Sequence, residues 1–299
     1  MSAIVECVPN FSEGRNLEVI NAIADSIKSV KCVRLLDYSW DYNHNRSVFT
    51  FIGSPEAVKQ AAFASCAKAA ELIDMNKHTG EHPRMGATDV IPFIPVKDIT
   101  IEECVKLSRE LGERIASELS IPVFLYEYSA TCPERKNLAD IRKGQFEGMR
   151  EKIKQPEWAP DFGKAEIHPT AGAVAVGARM PLIAYNINLD TSDITIADKI
   201  AKIIRERGGG LKNVRAIGVM LEDRNIAQVS INMVNYEKTS LYRAFEMVKM
   251  EARRYGVNII GSEIVGLTPM KALIDVAEYY LQLENFDFNK QILENYLLQ

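Results

Sequence analysis

The sequence predicts an α+β fold made of two ferredoxin-like units, and three observations carry that prediction. Short apolar segments of strand length alternate with longer segments of helical period. The order strand, helix, strand, strand, helix, strand is spelled in Ile4–Ile94 and again in Leu182–Ile264. That order is the split βαβ unit, which places two helices on one face of an antiparallel sheet. With 299 residues, 47% of them apolar and 25% charged, the chain can bury a sizeable core without metals or disulfide staples.

Each element has its own reason. Ile4–Val8 is a short apolar strand ended by Pro9. Leu17–Ser29 carries Leu17, Ile20, Ala24 and Ile27 at helical spacing, with Asn16 as N-cap. Val33–Tyr38 and Arg46–Ile52 read as strands, the second closed by Gly53. Glu56–Met75 is an alanine-rich helix starting after Pro55. Val90–Ile94 is a strand that Pro92 assigns to an edge or an irregular position. Thr100–Leu119 is an amphipathic helix and Pro122–Tyr126 a strand. From about Asp140 to Met180 the chain reads as an irregular connector, and so long a connector tends to be functional.

The second half repeats the pattern without repeating residues. Leu182–Leu189 is a strand, and Ile194–Arg207 a helix stopped by Gly208, Gly209 and Gly210. Val214–Leu221 and Ile226–Val234 are strands either side of the turn-like Glu222–Asn225. Leu241–Tyr255 is a helix, Val257–Ile260 a strand, and Met270–Glu284 and Phe288–Leu298 are closing helices.

Bulk chemistry excludes several classes. A net charge of −4 is not the basic excess of a general nucleic-acid binder, and no K/R-G-F-x-F run is present. Cys7, Cys32, Cys66, Cys104 and Cys132 are odd in number and form no C-x-x-C pair, so they read as reduced thiols. MSAIVECVPN lacks the basic start and apolar core of a signal peptide, and no stretch has the roughly 18 apolar residues of a membrane span. The expectation is a cytoplasmic chain without membrane or nucleic-acid partners.

Four polar clusters could carry chemistry. The densest is H-T-G-E-H-P-R-M-G-A-T-D-V-I-P-F-I-P, residues 78–95, a loop that presents His78, Glu81, His82, Arg84 and Asp89. His78 and His82 have metal-ligand spacing, but Gly80 and Pro83 break the helix such a pair needs and no third ligand is evident, so no metal is expected. His82 has the near-neutral titration suited to proton transfer, or is a hydrogen-bonded loop histidine. V-P-N-F-S-E-G-R-N (8–16) offers Asn10 and Ser12, or is simply a turn and a helix cap. D-Y-S-W-D-Y-N-H-N-R-S (37–47) is a polar hairpin connection that offers Asp37, Asp41, His44 and Arg46. W-A-P-D-F-G-K-A-E-I-H-P-T-A-G-A-V-A-V-G-A-R (158–179) matches neither a dinucleotide fingerprint nor a Walker loop, yet its glycines would let backbone approach a flat ligand.

The segments 5–16, 45–53, 78–96, 158–163, 177–179 and G-S-E-I-V-G-L-T-P-M-K-A-L (261–273) together resemble the glutamate formimidoyltransferase family, the N-terminal part of formimidoyltransferase–cyclodeaminases. The resemblance runs from about residue 2 to 285, and G-E-H-P-R-M-G-A is long enough to be specific. It implies two subdomains, here 1–178 and 179–299, in a homodimer. It implies transfer of a formimino group between N-formimidoyl-L-glutamate and N5 of tetrahydrofolate, the co-substrate. The chain ends at Gln299, which leaves no room for a cyclodeaminase domain, so only the transferase step is expected, with a separate cyclodeaminase as a possible partner.

By the same resemblance the catalytic histidine falls on His82. The folate segment falls on Gly163, Lys164, Ala165, Glu166, Ile167, His168, Pro169, Thr170, Ala171 and Gly172. Lys164 and His168 depart from the family, which often has Pro and a small apolar residue there. The reaction's chemistry then suggests substrate-binding roles. Asp37 or Asp41 would orient the cationic amidine, and Asp89 would instead fix the His82 tautomer. Arg46, Arg84 and Arg179 would hold glutamyl carboxylates. Phe162, Gly163 and Gly172 would line the pterin surface, with Asn10 and Gln228 as polar contacts. Formyl transfer between glutamate and tetrahydrofolate, and a folate binder without turnover, are the alternatives.

Overall fold

The computed structural model describes residues 3–297, and the chain divides into two compact units at Arg179/Met180. The first unit runs β1 (Ile4–Cys7), β2 (Asn10–Phe11), α1 (Leu17–Lys28), β3 (Val33–Asp41), β4 (Arg46–Gly53), α2 (Pro55–Leu72), β5 (Thr88–Lys97), α3 (Ile101–Leu119), β6 (Val123–Glu127), α4 (Leu138–Ile141), α5 (Gln145–Lys152) and β7 (Val174–Ala178). β1 and β2 act as one interrupted strand, since both lie between β4 and β5. The core order β5-β1-β4-β3 is antiparallel throughout and is that of a split βαβ unit. β7 and then β6 extend it by parallel pairing, with α3 as the crossover.

The helices form where the sequence stops and starts them. The Asn16 side chain accepts from the backbone N–H of Glu18 and Val19, and α1 turns Ile20, Ile23, Ala24 and Ile27 inward. Thr100 and Glu103 close a capping box on α3, which buries Cys104, Leu107, Leu111 and Ile115. These faces, with α2, bury Phe49, Phe51 and Phe93 in the main core.

The connector differs from its irregular reading. It contains α4, α5 and all of β7. Val174–Ala178 is buried at every position, so it lacks the alternation that marks a half-exposed strand. Ile141, Met149 and Ile153 from this region pack on Phe124, Tyr126 and Val90, a second core. Of the two placements expected for Pro92, the irregular one holds, inside the sheet. Cys7 pairs with Phe93 and Asn10 with Val90, so Pro92 faces the break between β1 and β2, where a missing N–H leaves no partner unsatisfied.

The second unit runs β8 (Ile183–Leu189), α6 (Ile194–Ile204), β9 (Val214–Leu221), β10 (Ile226–Met233), α7 (Leu241–Arg254), β11 (Ile259–Val265), α8 (Met270–Leu281), α9 (Phe288–Gln291) and α10 (Glu294–Leu297). Its sheet, β11-β8-β10-β9, has the split βαβ order again, with a core of its own against α6 and α7. The last strand runs beyond the expected Ile260 as far as Val265. The final helix is two short ones separated at Ile292, which takes an extended backbone. Leu298, the expected end of that helix, lies outside the described residues. No helix among the described residues is long and apolar enough to cross a membrane.

Candidate active site

The loop between α2 and β5 carries the densest polar cluster, and its backbone is fastened on both sides. Toward the connector, Ala87 N donates to Ala171 O at 2.9 Å, Ala173 N to Met85 O at 3.1 Å and Met75 N to Thr170 O at 2.8 Å. A Cβ on Gly86 would lie 2.1 Å from Ala173 O, so only glycine permits this approach. Gly172, its bridge partner, holds φ +73°. Toward the β3–β4 hairpin, Glu81 N donates to Asn43 O at 3.2 Å and Asn45 Nδ2 to Thr79 O at 2.9 Å.

The result is a shallow cleft lined by Phe11, Ser12, His44, Asn45, Arg46, His78, His82, Arg84 and Asp89.

Most charged groups here are already committed. Arg84 is buried. It pairs bidentately with Glu147 at 2.7 and 2.9 Å, donates to Gln145 Oε1 at 2.8 Å, and reaches His78 Nδ1 and the His78 carbonyl. His78 Nε2 meets Asn45 O at 2.9 Å. With Arg84 donating to Nδ1, both ring nitrogens are occupied and the ring is neutral; burial lowers its pKa, against the Asn45 carbonyl. Among the described residues, no group of three or more potential ligands gathers to hold a metal. Asp89 is buried, accepts from Met85 N at 2.9 Å and pairs with Arg142. Asp41 binds His44 through its backbone N–H at 2.7 Å and its ring Nδ1 at 3.1 Å, and these bonds hold its carboxyl low.

Two groups remain less committed. Arg46 donates from Nε and Nη2 to Asn10 Oδ1, and no carboxylate lies within 4.0 Å of it among the described residues. Burial, together with the charge of Arg142, pushes its pKa down to about 10. The His82 ring stands 6.2 Å from the His44 ring. Burial lowers its pKa from the ordinary 6.5 to about 3, helped by the charges of Arg46, Arg142 and His44 and opposed by the Pro83 carbonyl. Proline has no backbone N–H, so in that contact the imidazole donates. His82 is therefore unprotonated at neutral pH.

The cleft thus unites His82, Arg46, Arg84 and Asp89, with Asn10 behind Arg46. Other expected residues lie elsewhere. Asp37 is exposed on β3 opposite Thr50. Arg179 donates its N–H to Phe93 O, and its charge acts on Glu6, Cys7 and Tyr126. Gln228 is buried in the second unit, donating to Asn188 at 2.8 Å and Glu263 at 3.2 Å. In the 163–172 segment, Gly163, Lys164, Ala165 and Glu166 are exposed. Ile167 packs on the core, and Asn76 donates to Pro169 O at 2.9 Å. His168 Nδ1 accepts from the N–H of Ala171 at 3.0 Å and of Thr170 at 3.3 Å, so this side chain closes the turn.

The sequence reading missed Arg142, Gln145 and Glu147, which the connector delivers to the back of the cleft. Asp161 accepts from Leu125 N and pairs at 2.7 Å with Arg135, and both side chains are only 7% exposed. Phe162 packs over Gly112, and the Trp158 ring lies 3.6 Å from Lys152 Nζ.

Two family models match the chain: Formiminotransferase domain, N-terminal subdomain, over residues 4–179, and Formiminotransferase domain, over 184–295. A glutamate formimidoyltransferase of Streptococcus pyogenes serotype M1 is 66% identical, the match covering 100% of both chains. One from Thermoplasma acidophilum is 53% identical over 95% of this chain and 94% of its own. The formimidoyltransferase-cyclodeaminase of Mus musculus is 48% identical over 95% of this chain and 53% of its own. The chain therefore belongs to the formiminotransferase family of folate-dependent transferases.

Proposed function

We propose that this chain moves the formimino group between N-formimidoyl-L-glutamate and N5 of tetrahydrofolate, with His82 as the general acid and base. The observation that carries the reading is His82 held unprotonated beside Arg46 in a cleft lined by the 78–89 loop, the β3–β4 hairpin and β2. The names of the Streptococcus and Thermoplasma relatives supply the donor.

The chemistry needs one proton moved twice. The N5 lone pair attacks the amidinium carbon and a C–N bond forms. N5 then loses its proton to His82, which must be unprotonated to accept it. The glutamate nitrogen takes that proton, the old C–N bond breaks, and glutamate leaves as the amine. Tetrahydrofolate enters as co-substrate along the 163–172 segment, whose turn is bonded directly to the back of the His82 loop. Arg46 binds a glutamyl carboxylate. Arg84 and Asp89, already saturated by protein partners, hold the loop in place.

The test is to mix purified protein with N-formimidoyl-L-glutamate and tetrahydrofolate and follow 5-formimidoyl-tetrahydrofolate. Wild type forms product, and folded His82→Ala loses it by at least about 100-fold. A folded His82→Ala with wild-type turnover removes the base assignment. No product with wild type, but product from N-formylglutamate, moves the reaction to formyl transfer.

A further inference from the structure

Charges around His82 do not balance. Arg142 reaches the cleft through Asp89, which lines it together with Arg46 and His82 and pairs with Arg142; the charges of both arginines act on His82. The one buried carboxylate between them is Asp89, and its two oxygens are taken by Met85 N–H and Arg142 Nη2. Other charged groups nearby have their own partners: Glu147 pairs with Arg84, and Asp41 accepts from the His44 backbone N–H and meets its ring Nδ1. Arg46 is left with a neutral amide, and Arg142 Nε is buried without a hydrogen-bond partner. Two half-buried guanidiniums with one counter-ion make a site short of one anion, because a buried cation is costly until it is paired.

Arg142 is also held in place from behind. It follows α4, whose terminal Ile141 is fully buried. Lys152 Nζ donates to the carbonyls of Asp140 and Ile141, each at 2.8 Å, and of Lys143 at 3.3 Å. The Trp158 ring covers that ammonium at 3.6 Å. One lysine thus ties the backbone on both sides of Arg142.

We propose that Arg142 and Arg46 form a carboxylate-binding corner beside His82, with Lys152 and Trp158 as the positioning residues of Arg142. The ligand is a carboxylate of a glutamyl group, which both the donor and the folate tail carry; this rests on the reaction proposed above. Planar guanidiniums suit a carboxylate because each can give two parallel N–H bonds. Binding also places a negative charge against the two cations that disfavour protonation of His82. The imidazole becomes more basic when the corner is filled, which is when it must hold a proton between the two halves of the transfer.

The experiment is steady-state kinetics on Arg142→Met, Arg142→Lys, Lys152→Met and the double variant Arg142→Met/Asp89→Asn. The double variant removes the cation and its counter-charge together, so that a buried unpaired carboxylate does not unfold the protein. The corner predicts a KM rise of at least about tenfold in the double variant, a partial return in Arg142→Lys, and a smaller rise of the same KM in Lys152→Met. The affected substrate identifies the source. A higher donor KM with weaker inhibition by L-glutamate assigns the donor carboxylate. A higher tetrahydrofolate KM, unchanged for tetrahydropteroate, assigns the folate tail. Both KM values within twofold of wild type in the folded double variant overturn the proposal. Should wild type catalyse no transfer, calorimetric binding of L-glutamate and of tetrahydrofolate to wild type and double variant tests the corner alone; equal affinities for both ligands overturn it.

Discussion

The protonation of His82 can be measured without substrate. In the unfolded chain the imidazole takes a proton near 6.5; in the folded protein it does so only near 3. Between those values the unfolded state binds more protons, so folding stability falls as pH falls, by at most about 1.4 kcal/mol per pH unit for this one group. From pH 6.5 to 4 that ceiling is about 3.4 kcal/mol, and solvent reaching the half-buried ring reduces it to about 1–2 kcal/mol. His78 and His168 are also pushed down by burial, and carboxylates such as Asp41 lose stabilising bonds in acid, so wild type alone does not isolate His82. His82→Gln does, because glutamine has no proton to gain. Urea unfolding at pH 6.5, 5 and 4 should show the variant losing about 1–2 kcal/mol less than wild type. The imidazole C–H resonance missing from the variant should stay unprotonated down to at least pH 5. A His82 that titrates within one pH unit of 6.5 in the free protein would remove the electrostatic argument for the site. In catalysis the same reasoning puts the acid limb of kcat/KM, which reports the free enzyme, below that of kcat, which reports the filled site.

Two further perturbations test how the site is built. Asp161→Asn leaves Arg135 buried without its counter-ion and should cost about 3–5 kcal/mol, most of it recovered in Asp161→Asn/Arg135→Met; additive losses in chemical denaturation would mean that the pair does not fasten the connector. Gly86→Ala forces a Cβ toward Ala171 O and Ala173 O, lifts the loop off the connector, and should reduce turnover about 100-fold, as a displacement near 1 Å can. Gly148→Ala, which has open space and lies in α5, should keep wild-type turnover and gain about 0.5–1 kcal/mol; equal effects at the two glycines would refute the close-approach argument.

Local signals carried the fold well where the physics is local. Asn16 and Thr100 announce helix starts because their side chains bond N–H groups two and three residues on, and the two split βαβ orders follow from the sequence of elements alone. β7 escaped because a strand covered on both faces shows no alternation, and its Ala and Gly residues resemble a flexible linker. Pro92 left two placements open, an edge or an irregular position, and only the pairing with the β1–β2 break, 83 positions earlier at Pro9, decides for the second. The site divides in the same way. His82, Arg46, Arg84 and Asp89 sit in two short dense clusters, and density of polar residues around Gly and Pro is visible in a sequence. Whether such residues meet substrate is not, since Arg84 and Asp89 owe their partners to the connector.

Arg142 is the sharpest case. Its neighbours in sequence, Asp140 and Lys143, mark it as one charge among many on a surface turn, and nothing in I-R-K-G-Q-F-E-G distinguishes it. Its position depends on Ile141 entering a core with Phe124 and Tyr126, on Lys152 collecting three carbonyls, and on Trp158 closing over that lysine. Each of those contacts is ordinary packing. Together they hold the Arg142 guanidinium on Asp89, where its charge adds to burial and to Arg46 in disfavouring protonation of His82. If Arg142 forms the proposed corner, a substitution at Lys152 should act on substrate affinity although Lys152 does not line the cleft.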